Sequence, residues 1–140
     1  MSGTIKEIED EIVEEFELFD DPMMRYEYII DIGKKMPPLE EQYKTEENIV
    51  KGCQSTVWLH TDVANGRVHF KADSNTVITK GIIGLLVRVL SGQKAEDVMK
   101  ADLGFIDKIQ LRSHLSQQRS SGLNAMIRRM KAEASAVLNS

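Results

Sequence analysis

The stretch VWLHTDVANGRVHFKAD, residues 57–73, predicts a β-hairpin from which the rest of the fold can be worked out. At its centre stands Asn65-Gly66, a strong hairpin signal because a type I′ turn needs positive φ at both of its central residues. This turn fixes the pairing register, and the register puts the apolar side chains of both strands on one face. The predicted pairs are Val63 with Val68, Thr61 with Phe70, Leu59 with Ala72, His60 with Lys71 and Asp62 with His69.

The opposite face of this hairpin is too polar to belong to the core. An antiparallel sheet commonly packs one face on the core and leaves the other solvated. We therefore expect the polar face to be partly solvated or covered by a polar segment. It carries Trp58, His60, Asp62, His69, Lys71 and Asp73.

Two helices are predicted before the hairpin. Isoleucine and phenylalanine recur at helical spacing over residues 4–19, where Thr4 and Glu7 match a capping box. Asp21-Pro22 then begins a second helix, since aspartate favours the N-cap and proline the first helical position. The sequence Met36-Pro37-Pro38 ends it.

A central helix is predicted directly after the hairpin, capped by Asp73-Ser74-Asn75 and closed by Gly92. Its apolar face is broad, as for a helix that is buried against the sheet. Gly81 and Gly84 lie inside this pattern, and we expect them to permit close packing of the helix on the sheet.

The chain ends in a long helix that Ser116 can cap, after short helices at residues 95–99 and 103–109. Arg119 falls in the first turn of this last helix, where a cation opposes the helix dipole. A residue placed against local preference is a candidate for binding an anion or a partner, with a solvated arginine as an equal alternative.

The composition is that of one soluble globular domain spanning residues 1–140. The chain is 41 % hydrophobic and 29 % charged, with a formal charge of -4. An acidic balance argues against a general nucleic-acid binder, and no apolar stretch reaches the ~20 residues that span a bilayer. The acidic start is unlike a signal peptide, so we expect a cytoplasmic protein.

The lone cysteine, Cys53, lies just before the first predicted strand. It cannot form an internal disulfide or a multi-thiolate metal site, so any chemistry here uses one sulfur. The segment 39–56 around it is mostly polar and long, which is typical of functional loops, and a short strand is predicted at 48–50. Beside Lys51, a loop thiol can be reached and can ionise; the alternative is a small buried hydrophobe.

Two other kinds of site compete for these residues. In the hairpin register, His60 and His69 are diagonal neighbours with Asp62 nearby, a set that could bind a metal, but a solvated sheet face accounts for them better. We therefore predict no metal site. A cysteine hydrolase would need His60 or His114 within hydrogen-bond reach of Cys53, and no protease signature surrounds that cysteine.

Three blocks of the chain carry a resemblance. They are Gly52-Cys53-Gln54-Ser55-Thr56-Val57-Trp58, then Ala72-Asp73-Ser74 with Thr79-Lys80-Gly81-Ile82, and His114-Leu115-Ser116-Gln117-Gln118-Arg119-Ser120-Ser121-Gly122-Leu123. In this order they resemble the SufE family, the sulfur-acceptor partners of cysteine desulfurases in iron–sulfur cluster assembly. The chain departs from that pattern at Gln117, where a proline is common, and at Asn75-Thr76, where an Asp-Ala pair is more usual.

The resemblance implies an α+β fold similar to that of iron–sulfur scaffold proteins. A small antiparallel sheet of about three strands would be packed by N-terminal, central and C-terminal helices, in agreement with the pattern above. It also implies a sulfur carrier rather than a stand-alone enzyme. Cys53 would accept persulfide sulfur from a cysteine desulfurase, stimulate that enzyme, and pass the sulfur to a scaffold complex. The pyridoxal phosphate belongs to the desulfurase, so no cofactor is expected in this chain, which could act as a monomer or a homodimer.

The resemblance also suggests roles for individual residues. Arg119 would stabilise the anion or persulfide, Asp73 would lie near the cysteine segment, and His114 would brace the arginine segment; structural capping is an equal alternative for the last two. Transfer needs a thiolate, so we expect Lys51 and Arg119 to favour the anion. A mobile segment 45–56 would deliver the thiol, and apolar surface would shelter the persulfide. The alternative function is a binding module that regulates a partner through contacts alone.

Overall fold

The predicted hairpin is present in the computed structural model, which describes residues 3–139 apart from the side chain of His114. Strand β1 is Val57–Ala64 and strand β2 is Arg67–Ser74. Asn65 and Gly66 have φ of 55° and 76°, as the turn requires, and every predicted pair occurs in the register. The apolar face is buried except near the turn, where Val63 is 52 % exposed because no helix covers the tip.

Six helices pack around this hairpin within the described residues. They are α1 (Ile5–Glu17), α2 (Pro22–Lys35), α3 (Val77–Leu90), α4 (Ala95–Lys100), α5 (Phe105–Lys108) and α6 (Gln117–Leu138). Thr4 and Glu7 form the predicted capping box, and Asp21 and Ser116 cap α2 and α6 as expected. The result is the α+β class predicted from the sequence.

The third strand is not where the sequence placed it. The three-stranded sheet has the order β1-β2-β3, and β3 is Gln93–Lys94, directly after α3. Residues 48–50 were the wrong choice, because Glu46–Asn48 forms a 3₁₀ turn and Ile49 makes only an isolated bridge to Trp58. Segment 39–56 therefore borders β1 without extending the sheet.

The cap of α3 also differs from the prediction. Thr76 is its N-cap, without a capping hydrogen bond from its side chain, and Ser74 still belongs to β2. The physical reason is that the side chains expected to cap α3 form hydrogen bonds with other segments of the chain. Asp73 accepts a hydrogen bond from the amide of Leu39, and the hydroxyl of Ser74 donates to the carbonyl of Thr56.

Helix α3 crosses α2 with backbone against backbone. A Cβ on Gly81 would overlap the carbonyl oxygen of Ile29, and a Cβ on Gly33 would overlap the carbonyl oxygen of Val77. The close packing predicted for Gly81 is thus made with a helix rather than with the sheet. Gly84 likewise faces Met36 and Ile32 of the α2 region.

The first half of segment 39–56 covers part of the polar face of the hairpin, and Asp62, His69 and Lys71 on that face stay exposed. The ring of Tyr43 stacks on His60 at 3.7 Å, and the ammonium of Lys44 lies 5.3 Å from the ring centre of Trp58. This confirms the expectation that something polar covers that face.

Candidate functional site

Cys53 lies in a short loop that rests on α6. We call residues 47–56 the cysteine loop; a backbone hydrogen bond from Val50 to Val57, 2.8 Å, closes its base. The thiol is half-buried and donates a hydrogen bond to the carbonyl oxygen of Gly122 at 3.5 Å. A Cβ on Gly122 would lie 3.5 Å from the sulfur, an ordinary van der Waals distance, so the thiol packs directly against α6 at this residue.

A small apolar cavity lies beneath the thiol. Its volume is about 30 Å³, enough for a water-sized atom. Its apolar wall is formed mainly by Ile82, Ile83 and Leu86 of α3 and by Leu123 and Met126 of α6. The sulfur is therefore sheltered by apolar side chains, which agrees with the expectation for a carrier that must protect a persulfide.

The electrostatic setting of the thiol differs from the expectation. Burial raises the pKa of Cys53, so the resting site favours the neutral thiol rather than the thiolate. Lys51 is exposed to solvent, where its charge is screened. While the thiol rests on Gly122, the sulfur is shielded from solvent, but its reactive thiolate form is not favoured.

Arg119 lines the same cavity as Cys53. The Ser116 cap accepts from the amide of Arg119 at 3.2 Å and so fixes the first turn of α6 beside the thiol. Among the described residues, the Arg119 guanidinium makes no hydrogen bond or ion pair. The fold thus brings together two residues that are far apart in sequence and leaves a cation available to an anion at the cavity.

Hydroxyl groups tie the C-terminal end of the cysteine loop to the start of α3. The oxygens of Ser55 and Thr76 lie 3.1 Å apart, and Thr79 closes the cluster by receiving a hydrogen bond from Thr76 at 2.7 Å. The amide of Thr56 donates to the side chain of Asn75 at 3.2 Å. This end of the loop is therefore held by several neutral hydrogen bonds.

Asp73 lies away from the cavity and holds a different part of the segment. It is buried and accepts from the amides of Leu39 and Ser74, and Lys80 and Lys44 lie 3.2 and 3.6 Å from its oxygens. Burial alone would raise the pKa of Asp73, but these hydrogen bonds and the Lys80 charge outweigh it and lower the pKa. Its contacts are those of a buried anion that anchors residues 39–44.

The two histidines whose side chains the structure describes, His60 and His69, lie outside the cavity. His60 lies on the polar face of the hairpin, with Nε2 3.1 Å from Asp62, and does not line the cavity. His69 is exposed, and the His114 side chain lies outside the described residues. Within residues 3–139, leaving aside the side chain of His114, no three histidine, cysteine, aspartate or glutamate side chains are grouped to hold a metal ion.

Several residues at the site were not identified from the sequence. Gly122 sits inside the α6 pattern, where a glycine costs helix stability, and that cost was the one signal of a close contact. The hydroxyl cluster and Arg129, which contacts the cysteine loop from α6, gave no pattern in the sequence. None of the described helices is both long and apolar enough to cross a membrane.

A family model and two curated relatives carry the same family name. The family model "SufE: Fe-S metabolism associated domain" matches residues 10–134. An uncharacterised SufE-like protein of Rhizobium meliloti is 38 % identical over 130 residues, covering 89 % of this chain and 93 % of that protein. SufE-like protein 1, chloroplastic/mitochondrial, of Arabidopsis thaliana is 38 % identical over 125 residues, covering 89 % of this chain but 34 % of the plant protein.

A solved structure has the same fold. The solution structure of a hypothetical protein from Thermus thermophilus matches with a TM-score of 0.78 and 25 % sequence identity. The match covers 95 % of this chain and 97 % of that one. The α+β arrangement described above is therefore shared over nearly the full length of both proteins.

Proposed function

This chain belongs to the SufE family, which gives it a role in Fe–S metabolism, and we propose that it accepts sulfur from a cysteine desulfurase as a persulfide on Cys53. In this proposal the chain also stimulates the desulfurase and passes the sulfur to an iron–sulfur scaffold complex. The observation that carries it is the position of the lone thiol at a small, largely apolar cavity that Arg119 also lines.

The transfer is an exchange at sulfur. The Cys53 thiolate attacks the terminal sulfur of the persulfide on the desulfurase cysteine, a new S–S bond forms at Cys53, and the donor cysteine leaves as a thiolate. Electrons balance without an external oxidant. Arg119 is the group of this chain that can stabilise the attacking thiolate and the resulting anionic persulfide.

The raised pKa of the resting thiol fits a carrier that reacts only with its partner. Burial keeps Cys53 neutral while it is seated on Gly122, so small electrophiles react slowly with it. Leaving the seat exposes the sulfur to water and removes the burial that disfavours the anion. Activation is then coupled to movement of the cysteine loop towards a partner.

Intact mass spectrometry tests the proposal directly. The protein is incubated with a cysteine desulfurase and cysteine, then measured without reductant. We expect wild type to gain one sulfur atom on Cys53, and Cys53→Ser to gain none and to lose most of the stimulation of the desulfurase. Full stimulation by Cys53→Ser would instead support a binding module that regulates the enzyme through contacts alone.

Further predictions concern the scaffold complex that receives the sulfur, the oligomeric state of this protein and its location in the cell. Radiolabelled sulfur on Cys53 should move to an iron–sulfur scaffold complex when the two are mixed. Sedimentation distinguishes the monomer from the homodimer. A cytoplasmic location remains a prediction, and the matching plant protein is described as chloroplastic or mitochondrial.

A further inference from the structure

The two ends of the cysteine loop are held by different chemistry. The C-terminal end is tied to α3 by neutral hydroxyls, as described above. At the N-terminal end, one side chain of α6 among the described residues, Arg129, hydrogen-bonds to the loop. Its guanidinium donates to the carbonyl oxygen of Glu47 at 2.9 Å and to that of Ile49 at 3.1 Å.

The geometry of Arg129 suits this contact. Two nitrogens of one planar group reach two carbonyls of the loop, which the single ammonium of a lysine cannot do in the same way. Glu133, one turn further along α6, lies 3.6 Å from Nε and orients the guanidinium. The side chain is 27 % exposed, so these charge-assisted hydrogen bonds are partly shielded from water.

The tip of the cysteine loop is held on α6 by packing and by one weak hydrogen bond. Cys53 makes one hydrogen bond there, from a weak S–H donor to Gly122. Gly52 packs so closely on α6 that a Cβ on it would lie 3.1 Å from that of Ala125. Because the base of the loop leads directly into this tip, a shift of the base also shifts the thiol relative to Gly122.

We propose that Arg129 is a positioning residue that holds the base of the cysteine loop on α6 and so controls how often Cys53 leaves its cavity. It does not touch the sulfur. It acts through the carbonyls of Glu47 and Ile49, which precede the tip. A change that removes both hydrogen bonds shifts the population towards the unseated loop, in which the thiol is reachable.

Alkylation of Cys53 by iodoacetamide under native conditions tests this inference without any partner enzyme. Arg129→Met keeps the aliphatic stem and removes all donors, and Arg129→Lys keeps the charge and removes the fork. We expect Arg129→Met to react about tenfold faster than wild type, which corresponds to about 1.4 kcal/mol, with Arg129→Lys in between. Arg128→Met, at an exposed arginine of the same helix, is the matched control and should react at the wild-type rate. Equal rates for Arg129→Met and Arg128→Met would overturn the inference.

Hydrogen exchange separates loop release from general loss of stability. A positioning role predicts faster exchange confined to residues 47–53 in Arg129→Met and Arg129→Lys. Faster exchange that extends to the buried amides of α3 would mean that Arg129 only stabilises the fold, and the inference would be wrong.

A second readout rests on the proposed sulfur transfer. If the unseated loop is the form that engages the desulfurase, Arg129→Met lowers the half-saturating concentration of this protein and leaves the maximal rate unchanged. A lower maximal rate at unchanged half-saturation would contradict the inference. If wild type accepts no sulfur, the proposed function fails, while the alkylation experiment still decides the role of Arg129.

Discussion

Two of the contacts that glycines make in the described residues differ in how closely the chain packs there. Where α2 crosses α3, Gly33 and Gly81 let backbone touch backbone, and any side chain would overlap a carbonyl oxygen. Where the cysteine loop rests on α6, a Cβ on Gly122 would lie 3.5 Å from the thiol sulfur, which is an ordinary van der Waals distance. The helices of the first contact cannot shift without a clash, whereas the cysteine loop can move away from α6 while the core stays packed.

The tightly packed contact stabilises the fold, whereas the loosely packed contact lies at the candidate functional site. The α2–α3 crossing lies among fully buried residues such as Ile29 and Leu85. The contact at Gly122 is held by one weak hydrogen bond, by Arg129 at one end of the loop and by the neutral hydroxyl cluster at the other. Regions that move for function are drawn from the weakly held parts of a structure.

The largest expected effect is on the rigid contact. Gly81→Ala should lower the free energy of unfolding by about 3 kcal/mol or more, because the new methyl group forces the two helix backbones apart. Urea unfolding followed by circular dichroism measures this. A loss of less than ~1 kcal/mol would show that the crossing is as adaptable as the cysteine loop.

Arg119→Ala tests whether the loose contact carries the chemistry. We expect sulfur acceptance to fall roughly tenfold, less than for a buried oxyanion donor because Arg119 is only half-buried. The urea unfolding midpoint should stay at the wild-type value. Arg128→Ala is the control, and an Arg119→Ala protein with wild-type transfer rates would make Arg119 a surface residue only.

The pH dependence of Cys53 gives a smaller effect. Since burial raises its pKa in the folded state, its stabilising contribution is complete below the unfolded pKa of about 8.5 and is lost as pH rises through the folded pKa. Stability of wild type should therefore fall relative to Cys53→Ser above about pH 8.5. If the free energy of unfolding changed with pH in the same way in both proteins, the position of Cys53 on Gly122 would not favour the neutral thiol.

The smallest effect is expected for Gly122→Ala. The added methyl meets the sulfur at ordinary contact distance, and alanine favours the helix over glycine by about 1 kcal/mol. The free energy of unfolding should thus change by less than ~1 kcal/mol, in contrast to Gly81→Ala. A loss as large as that of Gly81→Ala would remove the distinction between the two contacts.

Local patterns were sufficient for most of the elements. The Asn65-Gly66 turn predicted the whole hairpin register, because alternation along a strand ties every side chain to that one turn. Thr4, Asp21 and Ser116 marked helix starts because capping depends on neighbours within one turn. The predicted cap of α3 was wrong because Asp73 and Ser74 form hydrogen bonds with Leu39 and Thr56, which are distant in sequence.

The site was predictable only in part. The sequence by itself determined that one sulfur stands in a polar loop beside a strand, and the family motif pointed to Arg119. Only the tertiary structure decided that the thiol is seated on Gly122, that burial raises its pKa, and that Arg129 holds the loop. The physical reason is that pKa and mobility depend on desolvation and on contacts between segments about 70 residues apart in the chain, which no local pattern of residues records.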